Sequence, residues 1–361
     1  MDDKLVIDKK GYVTFYAAAE YNGKLYISDR DNRGLLEYDL ETKETVIKNI
    51  FMAENYMNNY GQAFTYKNEI WFIPLRDNGK IAIYNVRNNK LEYLDIPKSE
   101  HKCDYIPFTD YVIKDDYAFM MPAHYDCLLK INLKERTFFR VDIGVQEYSG
   151  DGYPITTASI LKDDKIYICP FNNNKFIIYN TKTDDIEKTI ELKDKSAYTN
   201  LFSYKGKIYL VPLKISKGLT LLDVNNEKEI KKEIKSDSVN IDFECLGSIV
   251  DGTQIMFFPN KGEYIVKYNY INENVDYIRF EHENKPKELC FNRMRMVGNG
   301  KCIVRADNCK TPCLLCSNGK IEIINIKLPS DYFIKEILME IEAREHDISN
   351  SFGIKCGKIS G

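Results

Sequence analysis

Tryptophan is all but missing from this 361-residue chain, which has Trp71 alone, and histidine is scarce, with only His101, His124, His282 and His346. The four histidines have neither metal-ligand nor catalytic spacing, and His101 beside Cys103 reads as polar loop rather than as a base with its nucleophile. No glycine-rich phosphate loop, nucleophile elbow or Walker-like run occurs. No apolar stretch nears the roughly 20 residues that span a bilayer, and Met1-Asp2-Asp3-Lys4 opens no apolar leader segment. Neither charge sign dominates: 51 basic against 54 acidic residues, net −3, argues against a surface built for nucleic acid. The expectation is a cytoplasmic protein with no nucleic-acid partner, no membrane partner and no cofactor.

What is present is a period. A four-residue apolar run ends in a turn residue at Asp29, Pro74, Pro122, Pro170, Pro212, Pro259 and Ala306, in steps of 45, 48, 48, 42, 47 and 47. Such self-similarity marks an array of equal supersecondary units. Ile70-Trp71-Phe72-Ile73 and Ile208-Tyr209-Leu210-Val211 are apolar without alternation, as strands covered on both faces are. Turn pairs such as Asn22-Gly23, Asp163-Asp164, Lys205-Gly206 and Asp251-Gly252 precede these runs and predict hairpins. A third run closes on Asp39, Asn85, Asn132, Asn180, Asp223 or Asn269, residues whose side chains bond their own backbone and start a turn.

A fourth run alternates strictly, as in Leu91-Glu92-Tyr93-Leu94-Asp95-Ile96, so one of its faces is wet. Small residues such as Ala17, Ala18, Ala19, Ala158, Ser159, Gly247 and Ser248 fall on the first run, where units crowd. The order from small, through fully apolar, to half-exposed predicts an all-β, seven-bladed β-propeller of four-stranded antiparallel blades over residues 1–328. The blades are expected at about 12–50, 60–96, 108–143, 155–192, 200–235, 245–280 and 292–328. The run from Leu5 to Asp8 either adds a strand at the rim or crosses one face.

On these repeats the chain resembles the seven-bladed propeller superfamily, loosely the kelch and quinoprotein-type repeats, over residues 12 to 328. Paired blade glycines, tryptophan-aspartate dipeptides and Asp-boxes are absent, so no group's catalytic residues carry over. The resemblance implies that ligands sit over the central channel, on the face shared by two sets of loops: those entering each inner strand and those following each second strand.

On that face the candidate ligand-binding residues are Glu54, Tyr56, Arg76, His124, Tyr153 and Asn172, tyrosines interleaved with planar hydrogen-bonding groups that suit sugars or peptide backbones. Arg293 and Arg295, two apart before the buried run of the last blade, share a face and make an anion site if that face is the channel. Asp242 and Glu244 repeat the spacing at the entrance of blade six and are the candidate catalytic acid/base pair, with interblade salt bridging as the alternative. Asp110 lies near the inner strand of blade three, and Tyr198-Thr199-Asn200 reads as a connecting loop.

Of ten cysteines, Cys302, Cys309, Cys313 and Cys316 form the one cluster in which a metal site is conceivable. Cys313 and Cys316 fall on one predicted strand at an odd offset, which points them to opposite faces, so free thiols packed as small hydrophobes are expected and no metal. After Pro329 the pattern becomes helical: Ser330 caps, and Ile334, Ile337, Leu338 and Ile341 form an apolar stripe. An amphipathic helix is expected at 329–348 and a flexible tail at 349–361. The helix packs on the propeller or gives a weak dimer contact to an otherwise monomeric protein. Two functions stay open. One is a binding or scaffold module recognising a protein segment or a small polar or anionic ligand on the loop-rich face. The other is a propeller-type hydrolase or lyase acting on a carbohydrate or peptide-like substrate at the channel mouth.

Overall fold

In a computed structural model the chain closes into seven blades of four antiparallel strands, each blade taken from one continuous stretch of sequence. The structure describes residues 4–6, 13–30, 33–51, 60–76, 79–100, 103, 106–145, 154–171, 173–194, 196–236, 240–245, 247–260, 262–282, 285–286, 291–298, 301–306, 313–317, 320–332 and 335. The first strand of each blade lies at the axis, and most of these strands pack against the inner strands of the blades beside them. These inner strands are Phe15–Tyr21, Tyr60–Tyr66, Phe108–Lys114, Thr156–Lys162, Tyr198–Tyr204, Gly247–Asp251 and Phe291–Gly298. Lys4–Val6 pairs in parallel with the outer strand of blade six, Leu5 opposite Phe280, so the amino-terminal run is a rim strand.

The uniform apolar runs have a simple cause. Seven apolar cores lie between successive blades, and a second strand feeds two of them at once. In blade two, Trp71 and Ile73 enter the core shared with blade three, while Ile70 and Phe72 enter the core shared with blade one. Each such side chain contributes about 1.5–3 kcal/mol on burial, and polarity on either face would forfeit one core. Among the described residues no blade borrows a strand to shut the ring. Blade seven meets blade one through Leu25, Ile27 and Leu36 packed on Ile303, Leu315 and Ile324, with the Val13 N–H donating to the Ile326 carbonyl at 2.9 Å. Tyr332 is buried in the same core. It lies so close to Gly34 that a Cβ there would collide with its ring. Lys335 donates its N–H to the Asp331 carbonyl at 3.0 Å. The rest of the helix expected after Pro329, and the tail, lie outside the described residues.

The hairpin turns between first and second strands need positive φ, found at Asn22 (51°), Gly23 (77°), Lys205 (47°) and Gly206 (76°); this twist matches that of the flanking strands. Turns between third and fourth strands repeat a second device. Asp39 Oδ1 accepts from the N–H groups of Glu41 and Thr42 at 2.9 and 3.0 Å, and Asn85, Asn132, Asn180, Asp223 and Asn269 do the same two and three residues on. The next residue takes positive φ: Lys43, Asn89, Arg136, Asp184, Glu227 and Glu273.

That positive-φ residue reaches back to the preceding blade. Lys43 pairs with Glu322 at 2.7 Å, Arg136 with Glu69 at 3.0 Å, Asp184 with Lys130 at 2.5 Å, Glu227 with Lys188 at 2.8 Å and Glu273 with Lys232 at 3.1 Å. At Asn89 the backbone carbonyl serves, accepting from Asn49 Nδ2 at 3.2 Å. The clasp changes sign around the ring, basic at Lys43 and Arg136, acidic at Asp184, Glu227 and Glu273. The same residue also receives a buried tyrosine hydroxyl from its own blade, Tyr84 to Asn89 Oδ1 at 2.7 Å and Tyr179 to Asp184 Oδ1 at 2.6 Å.

Candidate functional site

The candidate residues read from sequence fall in three places. Glu54, Tyr56, Tyr153, Asn172 and Cys309 lie outside the described residues. Arg293 and Arg295 stand on the inner strand of blade seven, opposite Arg305 and Ile303, with side chains outside the described part. Of the others, Arg76 and His124 follow second strands and Asp242 and Glu244 precede an inner strand, in the two sets of connections expected to carry ligands, while Cys302, Cys313 and Cys316 stand on strands. Arg76 is exposed and His124 half-buried, the histidine pKa pushed down by burial.

Next to His124, Asp126 is 2% exposed and ties three segments together: its Oδ2 accepts from Arg140 Nη2 at 2.7 Å and from the Glu100 N–H at 2.9 Å. Burial drives its pKa up, but the Glu100 N–H and the Arg140 guanidinium outweigh that and hold the carboxyl below its ordinary value. Asp242 and Glu244 precede the inner strand of blade six, and both are exposed. Asp242 Oδ1 accepts from the Ser216 hydroxyl at 2.6 Å and pairs with Lys214 at 3.1 Å; the hydroxyl first, then the ammonium, holds its pKa low. Glu244 is bridged to Lys214 through backbone pairing.

Cys313 enters the core between blades seven and one, while Cys302 and Cys316 enter the core between blades six and seven. The odd offset therefore does part Cys313 from Cys316. Among the described residues no three His, Cys, Asp or Glu side chains converge as a metal site requires.

The concavity at the axis is a cavity of about 550 Å³, walled by the inner strands of blades two to six and reaching Cys316 and Ser317 of blade seven. Its polar wall has a local cause. Where the second strand ends, often on proline, the facing inner strand of every blade but the sixth carries a β-bulge: Tyr60 opposes Pro74 and Gln62 opposes Ile73, with Gly61 extra. Thr109, Thr157 and Thr199 are the extra residues in blades three, four and five. A bulge re-aims side chains that regular alternation would bury, and all three threonines line the cavity.

Most polar groups of this wall are used between blades. Thr157 Oγ1 donates to the Tyr198 carbonyl at 2.7 Å. Asp110 Oδ2 accepts from the Ser159 N–H and hydroxyl at 2.6 and 2.8 Å. Asn200 Nδ2 donates to the Ser248 carbonyl at 2.7 Å and reaches its hydroxyl at 3.1 Å. The sequence pointed to Asp110, to the small residues Ser159 and Ser248 and to Tyr198-Thr199-Asn200, but the pattern has no sign for a bulge, so Thr109 and Thr157 went unnoticed, and Tyr198–Asn200, expected as loop, begins a strand. A usable signal was there: Tyr60-Gly61-Gln62, Phe108-Thr109-Asp110 and Tyr198-Thr199-Asn200 repeat aromatic, small, polar at the start of an inner strand.

No protein-family model and no curated protein sequence matches the chain. Solved structures do. A streptogramin B lyase superposes with a TM-score of 0.60 at 12% identity, covering 89% of this chain and 97% of the other. Virginiamycin B lyase from Staphylococcus aureus gives 0.61 at 10% identity, covering 86% and 98%. BamB from Moraxella catarrhalis gives 0.54 at 10% identity, covering 86% and 85%. At such identities the likeness concerns the propeller fold, and it favours no one group of propellers and no activity.

Proposed function

We propose that this chain is a binding propeller that holds a small polar ligand in its channel, beneath the loop-rich face. The observation that carries this reading is the wall itself. Five blades present hydroxyl and amide groups to one cavity of about 550 Å³, within the roughly 300–1,000 Å³ of small-molecule sites. Of the two carboxylates in that wall, Asp110 is engaged by Ser159, and Asp251 stands at the hairpin end of its strand, opposite Gln254. Recognition by hydrogen bonds suits such a wall better than proton transfer, which needs a base or acid aimed at a reacting atom. The likeness to lyases rests on fold and brings no residue with it.

The test is to incubate the protein with a panel of polar small molecules and follow both its melting temperature and the integrity of each compound by NMR. A binding propeller raises its melting temperature with a ligand that is recovered unchanged. Conversion of the compound, stopped by Asp242→Asn or Glu244→Gln, replaces this reading with the enzymatic one.

A further inference from the structure

Two buried polar atoms in the cavity wall have no protein partner. Gln62 is 3% exposed and Thr199 is 8% exposed; Gln62 Oε1 and Thr199 Oγ1 make no hydrogen bond, and both residues line the cavity. Other buried atoms without partners, on Tyr60, Tyr268, Asp126 and Arg279, do not line it. The Thr199 case has a visible cause. Its equivalent, Thr157, donates to the carbonyl of Tyr198, the first residue of the next inner strand. Blade six has no bulge at that level, since Gly247 pairs directly with Phe258, and the Ser248 carbonyl is taken by Asn200. The Gln62 side chain is held through Nε2, at 3.4 Å from the Phe108 carbonyl, while its Oε1 has no partner.

A fold has no use for such groups. A buried donor or acceptor left unmet carries its full desolvation cost, and an apolar residue of the same shape avoids it. Two of them in one cavity mark positions where something else supplies the bonds. The chemistry of that partner follows from the wall. Gln62 Oε1 needs a donor, and a hydroxyl at Thr199 gives and takes one bond. Asp110 opposes an anion, and Ile160, Leu201 and Ile249 between the polar groups offer apolar surface for C–H faces. Resting on the binding reading above, we propose that the channel binds a neutral polyhydroxylated molecule of mono- to disaccharide size, anchored by Gln62 and Thr199 from blades on different sides of the ring.

The experiment titrates glucose, galactose, maltose and sucrose, with glucuronate and glucose phosphate as anionic counterparts, into the full chain and into Gln62→Leu, Thr199→Val and Thr157→Val. The expected result is saturable heat from at least one neutral sugar, and an affinity about tenfold weaker in Thr199→Val and in Gln62→Leu. Thr199→Val should meanwhile melt at or above the wild-type temperature without sugar. Gln62→Leu also removes the contact to Phe108, so Thr199→Val decides. Binding of the anionic compounds alone overturns the neutral class and leaves the binding propeller standing; a sugar affinity untouched in both variants overturns the site with the same consequence. A panel that binds nowhere, the channel holding water only, overturns the proposal.

Discussion

The rim and the channel of this ring use polar groups in opposite ways. At the turns between third and fourth strands blades one to six each clasp the blade before, and the clasp survives reversal of its charge between Arg136 and Asp184. What is kept there is the contact, whichever partner carries the cation. At the axis the same blade-to-blade bonding runs through Thr157, Asn200 and the Gln62 amide N–H, but Thr199 Oγ1 and Gln62 Oε1 are left without a partner. The described rim turns are all engaged because the ring depends on them, and the channel has unmet groups where the ring can spare them.

The largest effect is expected at the most enclosed clasp. Lys130 is 8% exposed and lies 4.4 Å over the Tyr117 ring, so Asp184→Ala leaves a desolvated cation without its carboxylate. With Asp184 itself half in solvent, the loss is about 2 kcal/mol in urea unfolding, below the full cost of breaking a buried pair. The double variant Lys130→Met, Asp184→Ala should regain much of it, and a single variant as stable as wild type would show that the rim is not what holds the blades.

The same pair has a pH signature. Burial raises the Asp184 pKa, but the Lys130 ammonium and the Tyr179 hydroxyl together take it below the ordinary value. A carboxyl depressed in the folded state stabilises fully above its unfolded pKa of about 3.9, and that contribution fades as pH falls through the folded value. Wild type should therefore lose stability below about pH 4, and Asp184→Asn should show a flatter acid limb in pH-dependent melting.

Next in size comes the paired threonine comparison, which sharpens the contrast within the channel. Thr157→Val breaks a bond to the Tyr198 carbonyl and should cost about 1 kcal/mol, whereas Thr199→Val should cost nothing or stabilise. Equal losses at both sites, by chemical denaturation, would mean that Thr199 is satisfied in solution. Asn132→Ala removes an acceptor from two backbone N–H groups at an exposed turn, and about 0.5–1 kcal/mol is expected. Smallest is Lys43→Ala, whose pair with Glu322 is about half exposed on both sides and should change stability by less than about 0.5 kcal/mol.

The parts of this comparison differ in how they show in sequence. The turn residues Asp39, Asn85, Asn132, Asn180, Asp223 and Asn269 are visible because an Asx turn is local chemistry, complete within four residues. The doubly buried second strands are visible because burial on both faces removes alternation. The channel wall is visible only in part: Asp110 and Tyr198-Thr199-Asn200 are singled out, but a bulge inserts one residue without changing composition, and whether Thr199 finds an acceptor depends on a strand in the next blade. Asp242 and Glu244 have the two-residue spacing of a shared strand face, yet they stand ahead of the Gly247–Asp251 strand, where spacing no longer fixes direction.

The most direct measurement is a high-resolution crystal structure of the full chain soaked with a neutral sugar that binds in titration. The account predicts the sugar in the channel, with oxygens about 3 Å from Gln62 Oε1 and Thr199 Oγ1. Thr199 bonded instead to a backbone carbonyl of blade six, with Gln62 rotated onto the protein and only water at the axis, would contradict it.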